Sequence, residues 1–339
     1  MMKKLTLAVD MYGCPNRCKH CWLGHMPNRK IADKTNEMII EYFKPYFESI
    51  TYYSWLREPD YCDDYKQRWI KDNEISVNAK PTRFELASFY RLVRDEEYVK
   101  FLKDVGVKKV QLTFFGLEAM TDAYIGRKNA YNELLSATNI LLSNGIVPRW
   151  QAFINEENKH EIIKLLDVIS EQNLYERCAH IGEVFEFFVH EGSCDGENLK
   201  LYPIRIQKEN IPEQLLPYYM DYDEILEEKE CVGILSESEE KIVFEAPDDI
   251  VLNVSNNMDV YYNYTHMSKP WIIGNILKED AQELVRKVIE GDTYALNALK
   301  GLSYSELAKK YGDTSSAKVF RIDDYKMYLV NRYLDEYSK

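Results

Sequence analysis

Three cysteines, Cys14, Cys18 and Cys21, crowd into the stretch GCPNRCKHCW with the spacing C-x3-C-x2-C. Spacings this short let three sulfurs converge on one centre. Pro15 and Asn16 favour a turn there, and Gly13 allows backbone angles closed to other residues. The chemistry such a set serves is metal binding, and two occupants compete. Zinc, completed by His20 or His25, would make a closed structural site of three cysteines and a histidine. A [4Fe-4S] cluster held by only three thiolates would keep one iron free of protein ligands, open to a small molecule.

The other cysteines, Cys62, Cys178, Cys194 and Cys231, are scattered, and a total of seven in a chain without an export signal argues against a disulfide framework. A second cluster is not expected from them, because Cys178 is read as opening the last strand and Cys194 as following it, at opposite ends. Cys62 and Cys194 are instead candidates for the mouth of the fold, where a thiol can return a hydrogen atom to a radical. The plainer reading of a free cysteine is a small packed hydrophobe.

These residues need elements to position them. Strand patterns run over Leu5 to Met11, Ile50 to Leu56, Arg83 to Ser88, Val107 to Phe115, Pro148 to Ile154 and Ala179 to Val189. Helical patterns alternate with them, among them Thr35 to Phe47 and Glu96 to Val105. Leu134, Leu135, Thr138, Leu141 and Leu142 form an apolar stripe stopped at Asn144-Gly145. Asn158 with Glu161 reads as a capping box ahead of Ile162, Leu165 and Ile169. Six such units predict parallel βαβ connections and an α/β fold, a partial (β/α)6 barrel of the TIM type. The cysteines follow the first strand, at the end where barrel enzymes assemble their sites. After about Gly196 the rhythm breaks; IVLNVSNNMDVYYNY predicts a hairpin turning at Asn256-Asn257. The expected domains are therefore 1–198, the barrel, and 199–339, an α+β extension.

The chain has 339 residues, 45 % of them hydrophobic and 29 % charged, with 26 tyrosines, as in a folded globular protein. Its net charge of -13, from 43 basic and 56 acidic side chains, makes nucleic acid a poor partner. No apolar run is long enough to span a bilayer and no signal peptide is visible, so a cytoplasmic location is expected.

C-x3-C-x2-C after a first strand, inside a six-fold βα pattern, resembles the radical S-adenosylmethionine (radical SAM) superfamily. The resemblance implies a [4Fe-4S] cluster on Cys14, Cys18 and Cys21 whose open iron chelates the methionine part of S-adenosylmethionine. It implies an oxygen-sensitive enzyme, supplied with electrons by a flavodoxin- or ferredoxin-type donor, that cleaves this cofactor to a 5′-deoxyadenosyl radical. The radical would take hydrogen from a small-molecule or peptide substrate. His20 stands where the family places an aromatic residue near adenine. Arg57 and Glu58, in YYSWLREPDY, stand where the family holds the methionine ammonium. Ser88, Gln151 and Asn155 are the candidates for the ribose or adenine. Phe115-Gly116, Asp122 and Gly126-Arg127 resemble the fourth strand and following helix of peptide- and sulfatase-modifying members. DVYYNYTHMSKPWIIGNILKED resembles the SPASM extension, here without the cysteines of its auxiliary clusters. A thiol near the substrate would imply epimerisation; without one, cross-linking or dehydrogenation. The reading outside this class is a zinc-stabilised, non-catalytic binding protein.

Overall fold

The computed structural model describes residues 3–24, 26–194, 196–244, 247–262 and 267–338. His25 and part of the stretch read as SPASM-like lie outside them.

Two sheets divide the parallel strands. In the first, β1 (Lys4–Val9) lies between β2 (Ser49–Tyr53) and β7 (Asp249–Val254), parallel to both. In the second, β4 (Val147–Phe153) lies between β3 (Lys109–Phe114) and β5 (Glu186–His190), again all parallel. Connections between parallel strands carry helices. Along the barrel these are α1 (Lys34–Phe43), α2 (Tyr65–Ile75), α3 (Phe89–Leu92), α4 (Glu96–Asp104), α5 (Glu118–Ile125), α6 (Ala130–Ser143), α7 (Lys159–Glu171) and α8 (Leu174–His180). Residues alternate across each strand: Val110, Leu112 and Phe114 of β3 are buried toward the helices, while Lys109, Gln111 and Thr113 face the other way, half-exposed. Fully burying a side chain such as Leu112 or Phe114 contributes roughly 1.5–3 kcal/mol. One face is thus a dense apolar layer and the other a polar lumen.

The fold is the expected partial barrel with an α+β extension, with differences in detail. Arg83 to Ser88 is not a strand: it runs extended beside β3 with a single ladder-like bond, from Gln111 N to Glu85 O (2.7 Å). Its Arg83 is held instead by a buried ion pair with Asp60. The sixth strand begins only at Glu186. Cys178 is on α8, fully buried, and the chain turns after it at Gly182 (φ +79°). Asn158 does not cap α7 with its side chain; its amide bridges two strand ends, donating to Phe115 O and Phe153 O and accepting from Asn155 N.

The C-terminal part holds β6 (Leu226–Glu227), α9 (Glu228–Ser236), β8 (Asp259–Tyr262), β9 (Gly274–Asn275), α10 (Ala281–Glu290), α11 (Tyr294–Leu299), α12 (Tyr304–Tyr311), β10 (Val319–Phe320) and α13 (Ile322–Tyr337). The hairpin turns where expected, between β7 and β8, and runs on into β9. Its first strand completes the sheet of β1, so the extension shares a sheet with the barrel. Cys194, Cys231, Trp271, Phe320, Tyr325 and Tyr328 pack together in a core beside it.

Candidate active site

At the C-terminal ends of the parallel strands lies a cavity of about 1000 Å³ lined by Cys14, Cys18, His20, Cys21, Arg57, Glu58, Gln151 and Asn155. Eight of the expected site residues therefore meet in one place.

The cysteine loop is built around its turns. Gly13 has φ +92°, and a Cβ there would meet the Asn28 amide and the Arg57 guanidinium. Asn28 brackets Cys14, accepting from its N–H at 3.1 Å and donating to its carbonyl at 2.8 Å. Arg57 spans from the end of β2 to the loop: it donates to both oxygens of Asp10 at 2.8–3.1 Å and to Met26 O at 2.7 Å. With side chains 7 % and 1 % exposed, this pair is buried, not the solvated surface pair that Arg57 and Glu58 would otherwise make. On its other side the loop leans on α5. Arg17 N and Lys19 N donate to Ile125 O and Tyr124 O, and the close approach of Arg17 O at Gly126 (φ +72°) leaves no room for a Cβ. Arg127 reaches back to Asn16 Oδ1 at 3.0 Å while pairing with Glu133 at 2.6 Å.

Burial raises all three thiols, Cys18 to about 12, and Glu58 pushes Cys14 up further. Thiolates in this cavity therefore call for a positive centre. Among the described residues no three His, Cys, Asp or Glu side chains converge on a point that could hold a metal ion. The three thiols line one cavity, and a [4Fe-4S] cluster held by three cysteines would fit there. Glu58 is buried too, which raises its carboxyl to about 7 against the lowering by the Ser88 hydroxyl and the Arg127 charge. Its Oε2 lies 3.8 Å from Cys14 Sγ, and its buried Oε1 has no hydrogen-bond partner. An orphaned carboxylate oxygen beside the thiols fits a cationic ligand group such as an ammonium.

His20 packs against Phe115 and Phe153, its ring centroid 4.6 Å from each and tilted by 49° and 38° to them, and burial lowers it to about 3, so it is neutral. Ser88 sits behind Glu58 as the N-cap of α3, fully buried and outside the cavity lining. Asn155 lines the cavity, but its side chain already bonds Tyr124 OH and the turn N–H groups of Glu157 and Asn158. Gln151 bonds Gln111 and His190. Arg149, two residues before Gln151 on β4, lies one layer deeper and pairs with Glu85 at 2.6 Å.

Neither expected thiol donor reaches the cavity. Cys62 packs against the barrel core and sits near Asp64 and Tyr12, with burial raising it to about 12. Cys194, 1 % exposed, faces the C-terminal core, although its neighbour Ser193 lines the cavity. The pattern also did not point to Asn198, Glu191 or Arg205. Asn198 Nδ2 donates to His20 O at 2.9 Å, and Arg205 forms a buried pair with Glu191 at 3.7 Å while donating to Gly192 O. All three line the cavity. Their only sequence signal was a run of polar residues past the last strand.

Residues 9–169 match the family model of the radical SAM superfamily. That stretch holds the cysteine loop, Glu58 and the β3–β4 pair, and is a radical SAM domain, of the kind that uses a [4Fe-4S] cluster and S-adenosylmethionine. Among solved structures, native anSMEcpe with bound AdoMet is similar at 13 % identity and a TM-score of 0.51, with 98 % of each chain covered. Streptococcus suis SuiB bound to the precursor peptide SuiA matches at 14 % identity and a TM-score of 0.41, over 95 % of this chain and 75 % of that one. The likeness to anSMEcpe is one of fold. No curated protein matches the sequence significantly. Among the described residues no helix is long and apolar enough to cross a membrane.

Proposed function

We propose that the protein cleaves S-adenosylmethionine reductively and uses the resulting radical to take a hydrogen atom from a small-molecule or peptide substrate. The observation that carries this reading is the meeting of three thiols and the unpartnered Glu58 oxygen in one cavity at the barrel mouth. When loaded, such a site supplies one-electron cleavage of the sulfonium to methionine and a 5′-deoxyadenosyl radical. Cys14, Cys18 and Cys21 hold the [4Fe-4S] cluster. Glu58 accepts from the methionine ammonium. The Arg57–Asp10 pair acts on the loop, fixing where the thiols stand, so Arg57 positions rather than binds. His20, uncharged and packed on Phe115 and Phe153, lines the cavity where adenine would lie. Ser88 acts through Glu58, and Gln151 and Asn155 edge the cavity where ribose hydroxyls would lie. The electron comes from a flavodoxin- or ferredoxin-type donor.

The fate of the substrate radical follows from where the thiols are. With Cys62, Cys194 and the third candidate donor Cys231 all turned into cores, none of these thiols stands ready to return hydrogen. This supports cross-linking or dehydrogenation over epimerisation. Anaerobically reconstituted protein should be brown, carry about four irons per chain and bleach with dithionite. A colourless protein holding a single zinc contradicts the reading.

A further inference from the structure

The 22 residues from Met11 to Ala32, which carry the three thiols, hold four Lys or Arg and no Asp or Glu, in a chain where 56 of 339 residues are acidic and the net charge is -13. The fold turns this bias outward. Arg17, Lys19, Arg29 and Lys30 are all exposed, and Lys128 and Lys200 are exposed on neighbouring turns. Arg17 O packs against Gly126, two residues before Lys128, and Lys19 Nζ stands 4.6 Å from the centre of the Tyr124 ring. Arg29 follows Asn28, which brackets Cys14. Lys200 comes two residues after Asn198, whose amide donates to His20 O, and its charge is felt at Cys21. Among the described residues none of these six cations is paired with a carboxylate. Two acids, Glu197 beside Gly24 and Glu157 bonded to Tyr124 OH at 2.8 Å, stand at the edge of this collar and do not balance it.

Neither the fold nor the cavity uses these charges. Exposed cations contribute little to stability even when paired, and unpaired neighbours of one sign repel each other. Five of the six, all but Arg17, lie outside the lining of the cavity. What gathered cations do from a surface is attract a negative partner and orient it as it arrives. The thiols themselves are only half-buried, so whatever they hold lies just beneath this face. Trp22, next to Cys21 and 38 % exposed, adds an apolar anchor of the kind that centres a protein interface.

We infer that this collar is the docking face for a small acidic electron-transfer protein, which hands one electron through it to the cluster on Cys14, Cys18 and Cys21. With a flavin donor, the anionic hydroquinone loses one electron to become the neutral semiquinone and the cluster gains it; no proton moves and no bond forms or breaks in this chain. The rest of an acidic surface repels the same donor, so the collar fixes where it lands. That the electron serves cofactor cleavage rests on the function proposed above; the docking face rests on charge and exposure.

Flavodoxin in its hydroquinone form is the probe, and bleaching of the cluster-loaded protein is followed by stopped flow. Raising salt from about 0.05 M to about 0.5 M, which shortens the reach of exposed charges, should lower the second-order rate at least about tenfold. Lys19→Glu with Lys128→Glu should lower it by a similar factor at low salt. Lys278→Glu with Lys300→Glu makes the same charge change on exposed lysines of the extension and should leave the rate within about twofold. Methyl viologen radical, a cation, should reduce the Lys19/Lys128 variant at least as fast as the parent. Dye-labelled oxidised flavodoxin, titrated with cluster-free protein and read by fluorescence anisotropy, should lose affinity by the same factor between the two salt concentrations, which keeps the test alive if the variant takes up no cluster. A rate indifferent to salt, equal losses in both pairs of variants, or methyl viologen slowed as much as flavodoxin would overturn the inference; the last would mean that the cations act on the cluster and not on the donor. Formation of 5′-deoxyadenosine with dithionite is scored separately. If it forms while flavodoxin ignores the collar, the docking face is wrong and the proposed function stands; collar-dependent reduction without 5′-deoxyadenosine keeps the docking face and removes the function.

Discussion

Replacing Arg57 by Met removes the guanidinium but keeps most of the side chain's length. Asp10, 1 % exposed, then keeps a charge with its three contacts of 2.8–3.1 Å gone. Stranding one member of a buried ion pair costs about 3–5 kcal/mol, whereas replacing both members by neutral groups costs far less. Urea unfolding of the cluster-free protein, followed by circular dichroism, should therefore show Arg57→Met destabilised by about 3–5 kcal/mol. Asp10→Asn in the same background should recover most of that loss. Cluster loading should not recover, because Met26 O has lost its donor in both variants and the loop is no longer tied to β2. Burial keeps the pair from being screened, so added salt should leave the cost nearly unchanged. The reasoning is refuted if Arg57→Met stays within about 1 kcal/mol of the parent, below the range for a stranded buried charge, or if the double variant takes up iron as well as the parent does.

Cys18→Ala should abolish iron binding yet unfold at nearly the parent's urea midpoint, since Cys18 is only half-buried at the edge of the barrel core; retained iron in full amount counts against the ligand assignment. Glu58→Gln should weaken S-adenosylmethionine binding about ten- to hundredfold, the worth of a charge-assisted hydrogen bond. Equilibrium dialysis on cluster-loaded protein measures this, and unchanged affinity removes Glu58 from the site. Asp72, buried in α2 and accepting from Ser54 N and Oγ, is pushed up to about 7 by burial. An unfolded aspartate titrates near about 3.9. Between the two values the native state holds the extra proton, so this residue makes stability fall as pH rises from about 4 to about 7. Asp72→Asn cannot titrate and can still accept from Ser54. Its stability relative to the parent should grow over that window and level off above it; a difference independent of pH contradicts the assignment.

The cysteine loop was legible because its ligands are contiguous: short spacing and a preceding strand fixed both chemistry and place. Glu58 could be read for the same reason, two residues past the second strand's apolar run. Strands bounded by helices of ordinary length were also readable, as was the β7–β8 hairpin. Alternation alone cannot tell whether a backbone pairs: in Arg83 to Ser88, Phe84 is exposed, Leu86 lines the cavity and Asp60 claims Arg83. The strand expected from Ala179 starts only at Glu186, because Gly182 breaks that run with a turn. Which strand lies beside β1 was invisible, since Asp249 to Val254 is separated from it by most of the chain. For Cys62 and Cys194, nearness to a strand end located the backbone without telling which way the thiol turns. Asn198 and Arg205 show the same gap from the other side: both are polar loop residues until the fold folds them inward.

Cofactor cleavage itself decides the central claim. Oxygen-free, reconstituted protein is mixed with S-adenosylmethionine and dithionite, and 5′-deoxyadenosine is followed by chromatography against the Cys14→Ala variant. The account predicts 5′-deoxyadenosine accumulating over time in the parent and none above background in the variant. Parent protein that carries a full cluster yet forms no more 5′-deoxyadenosine than the variant would contradict it.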